Sequence, residues 1–191
     1  MNIRASNSMT YTSAIIDHSF ALSGRVLDAG CGAMPYKRLN FPDVSEWVGL
    51  DNREGVGDVD GDVCDIPLDD EQFDAVMCVD ALQYVPDPAR ALREFYRVLK
   101  PGGSLLLIVP NNQEDDRSAF WGFRAEGVRY LLAQADFDVD ILRVASRQFA
   151  CEYENTKLSK YGFAIPPEIN SFVQRLDDAY PHICVAVGKK Q

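Results

Sequence analysis

Short apolar segments alternate with amphipathic helical segments along this chain. The apolar segments are rich in β-branched and aliphatic residues, and Gly, Pro or Asp residues flank most of them. This alternation is typical of an α/β domain in which helices cover a parallel sheet. We predict seven strands, at Arg25–Asp28, Trp47–Asp51, Asp58–Gly61, Phe73–Val79, Ser104–Val109, Asp138–Val144 and Ile183–Val187.

The clearest helical pattern runs from Pro88 to Lys100. Asp87 is suited to cap this helix, Pro88 fits its first turn, and the Pro-Gly-Gly run after Lys100 ends it. Its apolar stripe at positions i, i+3, i+4 and i+7 consists of Leu92, Phe95, Tyr96 and Leu99. Further helices are predicted at Tyr11–Ala21, at Ala125–Ala135 and from Pro167 onward.

The connection between the second and third predicted strands is unusually short. Only Asn-Arg-Glu-Gly-Val-Gly lies between Asp51 and Asp58. A helical crossover between parallel strands needs about a dozen residues. One crossover helix of the doubly wound plan is therefore expected to be absent or reduced to a turn.

Length and composition favour a single domain over residues 1–191. Apolar residues make up 47% of the chain and charged residues 25%, as in ordinary globular proteins.

No apolar run approaches the ~18 residues that a membrane-spanning helix requires. The first ten residues lack the apolar core of a secretion signal, and the five cysteines are scattered without a CxxC pair. We therefore expect a cytoplasmic protein with reduced thiols and no zinc site.

The charge distribution argues against a nucleic-acid partner. The net charge is −10, and residues 43–87 contain fourteen acids against one base, Arg53. Proteins that bind nucleic acids need a basic face to displace the counterions of the phosphates. The densest basic run, which is most simply a solvated helix face, consists of Arg90, Arg93, Arg97 and Lys100.

The segment VLDAGCGAMPY, residues 26–36, is the first candidate for a binding site. Asp28, Gly30 and Gly32 fall at the carboxyl end of the first predicted strand. In open parallel sheets ligands bind beyond the carboxyl ends of the strands. Two glycines flanking one residue suggest that a group from outside the loop approaches the backbone there.

Two further acids follow at the ends of the next strands. Asp51 comes 21 positions after Gly30, and a carboxylate at that place can accept hydrogen bonds from both hydroxyls of a ribose. Asp62 could accept from an adenine amino group while the N–H of Val63 donates to the ring. Each residue alone is more simply a turn or loop residue, but their order along successive strand ends outlines an adenosine site.

The adenosine ligand is more consistent with S-adenosylmethionine than with a dinucleotide. A pyrophosphate favours the G-x-G-x-x-G pattern, and here the third glycine is replaced by Pro35. Asp28 would also repel a phosphate. The ammonium of S-adenosylmethionine suits Asp28, and its carboxylate suits the backbone N–H groups that follow Gly30.

These stretches resemble class I S-adenosylmethionine-dependent methyltransferases. The similarity is carried by VLDAGCG, GLDN and the run from GDVCDIP to LLLIVPN, and it covers residues 26–111. It implies a Rossmann-like, seven-stranded, mostly parallel sheet with an antiparallel last strand. It also implies that Val79 and Asp80 lie beneath the sulfonium. The predicted cofactor-binding residues are Asp28, Ala29, Gly30, Gly32, Asp51, Asn52, Asp62, Val63 and Val79.

The acceptor side departs from the family pattern. Many relatives carry Glu-His where this chain has Gln83-Tyr84, so a histidine base is missing at the expected place. Asp80 and Tyr84 are the remaining candidates for proton removal, although Asp80 could instead anchor a loop or the cofactor. Candidate substrate contacts, some of which could equally be packing or loop residues, are Tyr36, Asn111, Arg117 and Trp121.

The sequence thus predicts methyl transfer from S-adenosylmethionine to an oxygen or nitrogen of a small molecule, with S-adenosylhomocysteine as the product. The resemblance to this family implies a sugar, a polysaccharide precursor or a secondary metabolite as the acceptor. The alternative is a non-catalytic S-adenosylmethionine-binding module that acts as a partner subunit. No metal and no membrane partner are expected, and the protein is predicted to be a monomer or homodimer.

One competing motif lies late in the chain. Tyr153 and Lys157 match the Tyr-x-x-x-Lys pair of short-chain dehydrogenases, but the dinucleotide glycines are absent. Residues 147–181 are more simply an insertion before the last strand, which could cover the site or form a dimer contact.

Overall fold

The chain forms one eight-stranded sheet. The computed structural model describes residues 4–6, 11–39, 41–110, 119–146 and 182–191. All seven predicted strands are present, and a three-residue strand at one edge, β1, adds to them. The strands are β1 (Arg4–Ser6), β2 (Gly24–Ala29), β3 (Val44–Asp51), β4 (Val59–Asp60), β5 (Phe73–Val79), β6 (Leu99–Pro110), β7 (Asp138–Ser146) and β8 (His182–Lys189).

The strand order is β1-β7-β8-β6-β5-β2-β3-β4. Strands β6, β5, β2, β3 and β4 run parallel to one another. The last strand, β8, is antiparallel to both of its neighbours, β6 and β7, as predicted. Because the parallel strands point the same way, the carboxyl ends of β5, β2, β3 and β4 meet at one edge of the sheet.

Three α-helices lie in the described part of the chain: α1 (Tyr11–Asp17), α2 (Pro88–Val98) and α3 (Ala125–Gln134). The Asp87 side chain caps α2 by accepting a hydrogen bond from Arg90 N at 2.9 Å. Helix α2 ends two residues before the predicted boundary, and β6 follows it directly. The predicted helix Tyr11–Ala21 divides into α1 and a 3₁₀ helix at Ser19–Ala21. The helix predicted from Pro167 and the insertion at 147–181 lie outside the described residues.

The crossovers next to β3 are short. No helix is present at positions 52–58, between β3 and β4, which confirms the predicted loss of one crossover helix. The connection from β2 to β3 is also reduced, since its helical part in the described residues is the 3₁₀ helix Pro35–Leu39. Two crossover helices are therefore absent or reduced in the described residues, whereas the sequence pattern indicated one.

Two apolar cores lie on the two faces of the sheet. Alternating residues of each buried strand point to opposite faces, so Leu27 joins one core and Val26 the other. Helices α2 and α3 cover the face of Leu27 through residues such as Phe95 and Leu132. Helix α1 covers the opposite face with Tyr11 and Ile15, together with the Pro35–Leu39 helix. Helices therefore cover both faces, as the fold class requires.

Arg97 of α2 holds the loop that follows β4. Its guanidinium donates to the carbonyl oxygens of Ile66 at 2.9 Å and Leu68 at 2.8 Å, and to Asp70 at 2.7 Å. Glu94, which binds the same guanidinium, accepts from Ile66 N at 2.9 Å. The expectation that the basic run of α2 is only a solvated face is therefore wrong for Arg97.

We expect Arg97→Gln to loosen this loop and to lower the free energy of unfolding by about 1–3 kcal/mol. The reason is that the carbonyls of Ile66 and Leu68 lose a charged donor. Amide exchange at residues 66–70 should accelerate. Urea unfolding and hydrogen exchange check this against Arg93→Gln, an exposed position of the same helix. Equal behaviour of the two variants would contradict the assignment.

Candidate active site

A cavity of about 420 Å³ opens at the carboxyl ends of β2, β3 and β5. Two predicted residues, Ala29 and Trp121, do not line it, and two others, Asn111 and Arg117, lie outside the described residues. The structure thus brings most of the predicted site together. The predicted residues that line the cavity are Asp28, Gly30, Gly32, Tyr36, Asp51, Asn52, Asp62, Val63, Val79, Asp80 and Tyr84.

Asp28 is a buried acid in the wall of the cavity. The residue is 2% exposed, and Oδ2 has no hydrogen-bond partner among the described residues. Burial raises the pKa of this carboxyl to about 7, although a hydrogen-bonding contact from the Trp47 side chain, too loose for a regular hydrogen bond, offsets part of the rise. A buried carboxylate with so weak a partner is costly, so a cationic or hydrogen-bond-donating group in the cavity would stabilise it.

The two glycines of the first loop have different roles. Gly30 has φ +74°, and a Cβ there would lie 2.5 Å from Cβ of Ala81. The group that approaches Gly30 is therefore protein, which differs from the simplest interpretation of the motif. Gly32, with φ +52°, faces the guanidinium of Arg53, and its N–H donates to Asp51 Oδ2 at 2.9 Å.

Asp51 is saturated with donors from the protein. Arg53 donates from its backbone N to Oδ1 at 3.1 Å, from Nε to Oδ1 at 2.9 Å and from Nη2 to Oδ2 at 3.2 Å. Together with the bond from Gly32, these donors lower the pKa of Asp51, and the Arg53 side chain contributes most. The Arg53 side chain is 65% exposed, so it can leave the carboxylate without unfolding its surroundings.

The loop after β4 presents Asp62 and Val63 to the cavity. Oδ1 of Asp62 accepts from Cys64 N at 2.8 Å, and its carbonyl accepts from Asp65 N at 2.9 Å. Val63 is buried. Glu94 and Arg97 hold the residues that follow, through Ile66 and Leu68. The loop is therefore fixed both at its Asp62 turn and after it.

Asp80 follows β5 in a strained backbone conformation, with φ +54°. Its Oδ1 accepts from the Tyr11 hydroxyl at 2.9 Å and from Gln83 Nε2 at 2.7 Å. The carboxylate therefore ties α1 to the 3₁₀ helix Leu82–Tyr84. Tyr84 itself lines the cavity and is 37% exposed.

Trp121 lies beside the cavity rather than in its wall. The indole Nε1–H donates to the carbonyl of Val85, a lining residue, at 2.9 Å. The ring is 43% exposed. The indole N–H of Trp121 is thus bound within the protein, while much of the ring remains exposed.

Sequence reasoning missed several lining residues. Arg53 could have been noticed as the single base among fourteen acids, whereas the contacts of Ala81, Val85 and Pro86 depend on tertiary structure. Burial raises the pKa of the Cys31 thiol to about 12, so Cys31 lines the cavity as an uncharged thiol.

Two absences hold within the part of the chain that the structure describes. No cluster of His, Cys, Asp and Glu there could hold a metal ion. None of its helices has the length and apolar character needed to cross a membrane.

Comparison with known proteins places this site in a family. The family model described as "Methyltransferase domain" matches residues 27–107. A protein of Encephalitozoon cuniculi described as a candidate methyltransferase is 30% identical over 141 residues, which cover 62% of this chain and 67% of that protein. The 2-phytyl-1,4-beta-naphthoquinone methyltransferase of Arabidopsis thaliana is 32% identical over 114 residues, or 59% of this chain and 40% of that protein.

A solved structure shares the fold. The crystal structure of a candidate methyltransferase from Bacillus halodurans aligns with a TM-score of 0.68 at 22% identity, over 93% of this chain and 98% of that one. The chain spans less than half the length of the plant relatives that it matches. The match over two thirds of the Encephalitozoon protein shows that the chain belongs to the class I S-adenosylmethionine-dependent methyltransferases.

Proposed function

We propose that this chain binds S-adenosylmethionine and transfers its methyl group to an oxygen or nitrogen nucleophile of a small molecule. The observation that carries the proposal is the buried Asp28 carboxyl, which has no regular hydrogen bond at Oδ2, in a cavity that Asp51 and Asp62 also line. These carboxylates suit an ammonium, a ribose and an adenine amino group respectively. When bound, S-adenosylmethionine supplies a methyl group that its sulfonium activates for displacement.

Asp51 holds the ribose only after Arg53 gives way. Both carboxylate oxygens already have two donors each, so ribose hydroxyls must replace the guanidinium. The backbone N–H groups of Gly32 and Arg53 stay on the carboxylate and keep it oriented. The Arg53 side chain is 65% exposed and the Asp51 side chain 7%, so water takes up the released guanidinium while the ribose hydroxyls take its place on the buried carboxylate.

Asp62, Val63 and Asn52 complete the adenosine end. The free acceptor capacity of Asp62 suits an exocyclic amino group, and the buried Val63 gives the ring an apolar contact. Asp28 disfavours a dinucleotide because its carboxylate would repel the pyrophosphate. Val79, at the end of β5, completes the proposed set of cofactor contacts, whereas the predicted Ala29 of β2 is fully buried and does not line the cavity.

The residues proposed for the acceptor end are suited to position the methyl acceptor rather than to remove a proton from it. Tyr36, Tyr84 and Trp121 are the proposed substrate contacts in the described residues, with Asn111 and Arg117 outside them. The Arabidopsis relative is named for a small-molecule acceptor, which supports that class here. The replacement of Glu-His by Gln83-Tyr84 favours one alternative, a non-catalytic module that binds the cofactor beside a partner subunit.

We expect S-adenosylhomocysteine to bind with a micromolar Kd, about −8 kcal/mol, and NAD far more weakly.

Asp51→Ala should weaken the binding of S-adenosylhomocysteine at least about tenfold, because the ribose loses a charged acceptor. Isothermal calorimetry measures both. Asp43→Ala, an exposed acid just before β3, is the control. A preference for NAD would overturn the proposal, and cofactor binding without turnover on a broad acceptor panel would favour the non-catalytic module.

We expect binding to release a proton from Asp28. Its pKa of about 7 leaves the carboxyl partly protonated at neutral pH, and an ammonium ligand favours the charged form. Affinity for S-adenosylhomocysteine should therefore fall as pH drops from 8 to 6, by up to about tenfold per unit below the pKa. Calorimetry in buffers of different ionisation enthalpy measures the released proton. If Asp28→Asn has the same pH dependence as the wild type, Asp28 is not the linked group.

The two hydrogen bonds to Asp80 favour an anchoring role over proton removal. Asn tolerates a positive φ and keeps one oxygen for Tyr11 and Gln83. We therefore expect Asp80→Asn to lower turnover less than about tenfold on an acceptor found in the panel. A loss of order 10²–10⁴ in kcat, with S-adenosylhomocysteine affinity kept, would instead identify Asp80 as the base.

A further inference from the structure

We propose that the methyl acceptor is an uncharged molecule with a flat apolar body, which docks on the ring surfaces of Tyr84, Phe120 and Trp121. These three residues are called the aromatic rim below. This inference rests on the proposed function and names its substrate class. It replaces the expected sugar or polysaccharide precursor and retains a secondary metabolite as the acceptor class.

The rim residues are exposed large aromatic side chains of two chain segments. Phe120 is 63% exposed, Trp121 43% and Tyr84 37%. The N–H groups of Phe120 and Trp121 both donate to the carbonyl of Gln83, at 2.8 and 3.3 Å. Since Gln83 is the direct neighbour of Tyr84, these bonds hold two separate chain segments together and bring their aromatic residues to one place.

The rim is continuous with the cavity. Trp121 donates its indole N–H to the carbonyl of Val85, and Tyr84, Val85 and Pro86 line the cavity wall. Because this donor is already satisfied within the protein, the indole offers an acceptor its apolar face rather than a hydrogen bond. A ring fixed in this way stacks on a flat ligand at little cost in conformational entropy.

The charges around the cavity select against anions. Its lining contains four acids, Asp28, Asp51, Asp62 and Asp80, and within the described residues its one base is Arg53. Even when a ribose displaces its guanidinium from Asp51, Arg53 is one base beside these four acids. An anionic acceptor would therefore meet uncompensated negative charge on leaving water.

The lining nearest the rim is apolar apart from Asp80, whose carboxylate already accepts hydrogen bonds from Tyr11 and Gln83. Val79, Ala81, Val85 and Pro86 surround the end of β5, where the acceptor must approach. Such a wall gives an acceptor ammonium or a sugar hydroxyl few partners. Aromatic rim, acidic lining and apolar wall together favour a neutral, flat, apolar acceptor that carries a hydroxyl or amine nucleophile.

The test compares three probes of different chemistry. They are 2-naphthol, its anionic relative 6-hydroxy-2-naphthoate and the neutral polar α-methylglucoside. We expect the protein loaded with S-adenosylhomocysteine to bind 2-naphthol at least about tenfold more tightly than either of the others. Equal or tighter binding of the naphthoate or the glucoside would overturn the inference.

Variants of the rim locate the binding. Trp121→Ala should weaken 2-naphthol binding at least about fivefold, a loss of ring contact of the usual size, while S-adenosylhomocysteine affinity stays unchanged. Trp121→Phe should recover part of the loss because it restores a ring. Tyr130→Ala removes a ring that is 64% exposed on α3 and outside the cavity lining, and should change neither affinity.

The two proposals fail differently. If S-adenosylhomocysteine binds as expected but Trp121→Ala and Tyr130→Ala affect 2-naphthol equally, the rim is not the acceptor site and the proposed function stands. If S-adenosylhomocysteine does not bind, the proposed function itself is wrong.

Discussion

The parallel pairing of β5, β2, β3 and β4 is the constraint on which the site depends. Parallel strands end at the same edge of the sheet, so the strand order alone brings residues that are far apart in the chain together there. Asp28, Asp51, Asp62 and Asp80 each lie at or just beyond one of these ends. Four carboxylates in one cavity repel one another, and the surrounding structure must compensate each of them.

The compensation differs from acid to acid, and this difference distinguishes their roles. Asp51 receives four hydrogen bonds, Asp80 is held by Tyr11 and Gln83, and Asp62 caps its own turn. Asp28 retains a buried oxygen without a partner in the described residues, and its pKa rises accordingly. The protein thus stabilises three acids with its own donors, and we propose that the ammonium of the cofactor completes the fourth.

The pattern of the sequence predicted the elements well because local rules decide them. Apolar runs became strands, the Asp87-Pro88 cap began α2, and the six residues after Asp51 were too few for a helix. The acids at the strand ends were also predictable, since their place follows from the order of the strands. Local rules work here because both faces of the sheet are buried, so each strand is a nearly continuous apolar segment.

The missed features depend on partners that sequence spacing does not reveal. Arg97 has the helical spacing of a solvated base, yet it reaches the carbonyls of a loop about 30 positions earlier in the chain. Gly30 appears in a ligand-binding motif, but its missing side chain makes room for Ala81. The position of Trp121 relative to the cavity is fixed by Val85, 36 positions away. None of these distances follows from periodicity.

The short connection after β3 shows how the fold keeps Asp51 in place without a crossover helix. Asp58 N donates to the carbonyl of Gly49 at 2.8 Å, and the Asp58 carboxylate accepts from Gly49 N at 2.8 Å. A side chain on Gly57 would lie 2.7 Å from that carbonyl, so the close return requires glycine. These two hydrogen bonds attach the loop to β3 at Gly49, two residues before Asp51. A tight turn thus replaces the packing of a helix, and Arg53 lies in this turn with a side chain that is 65% exposed.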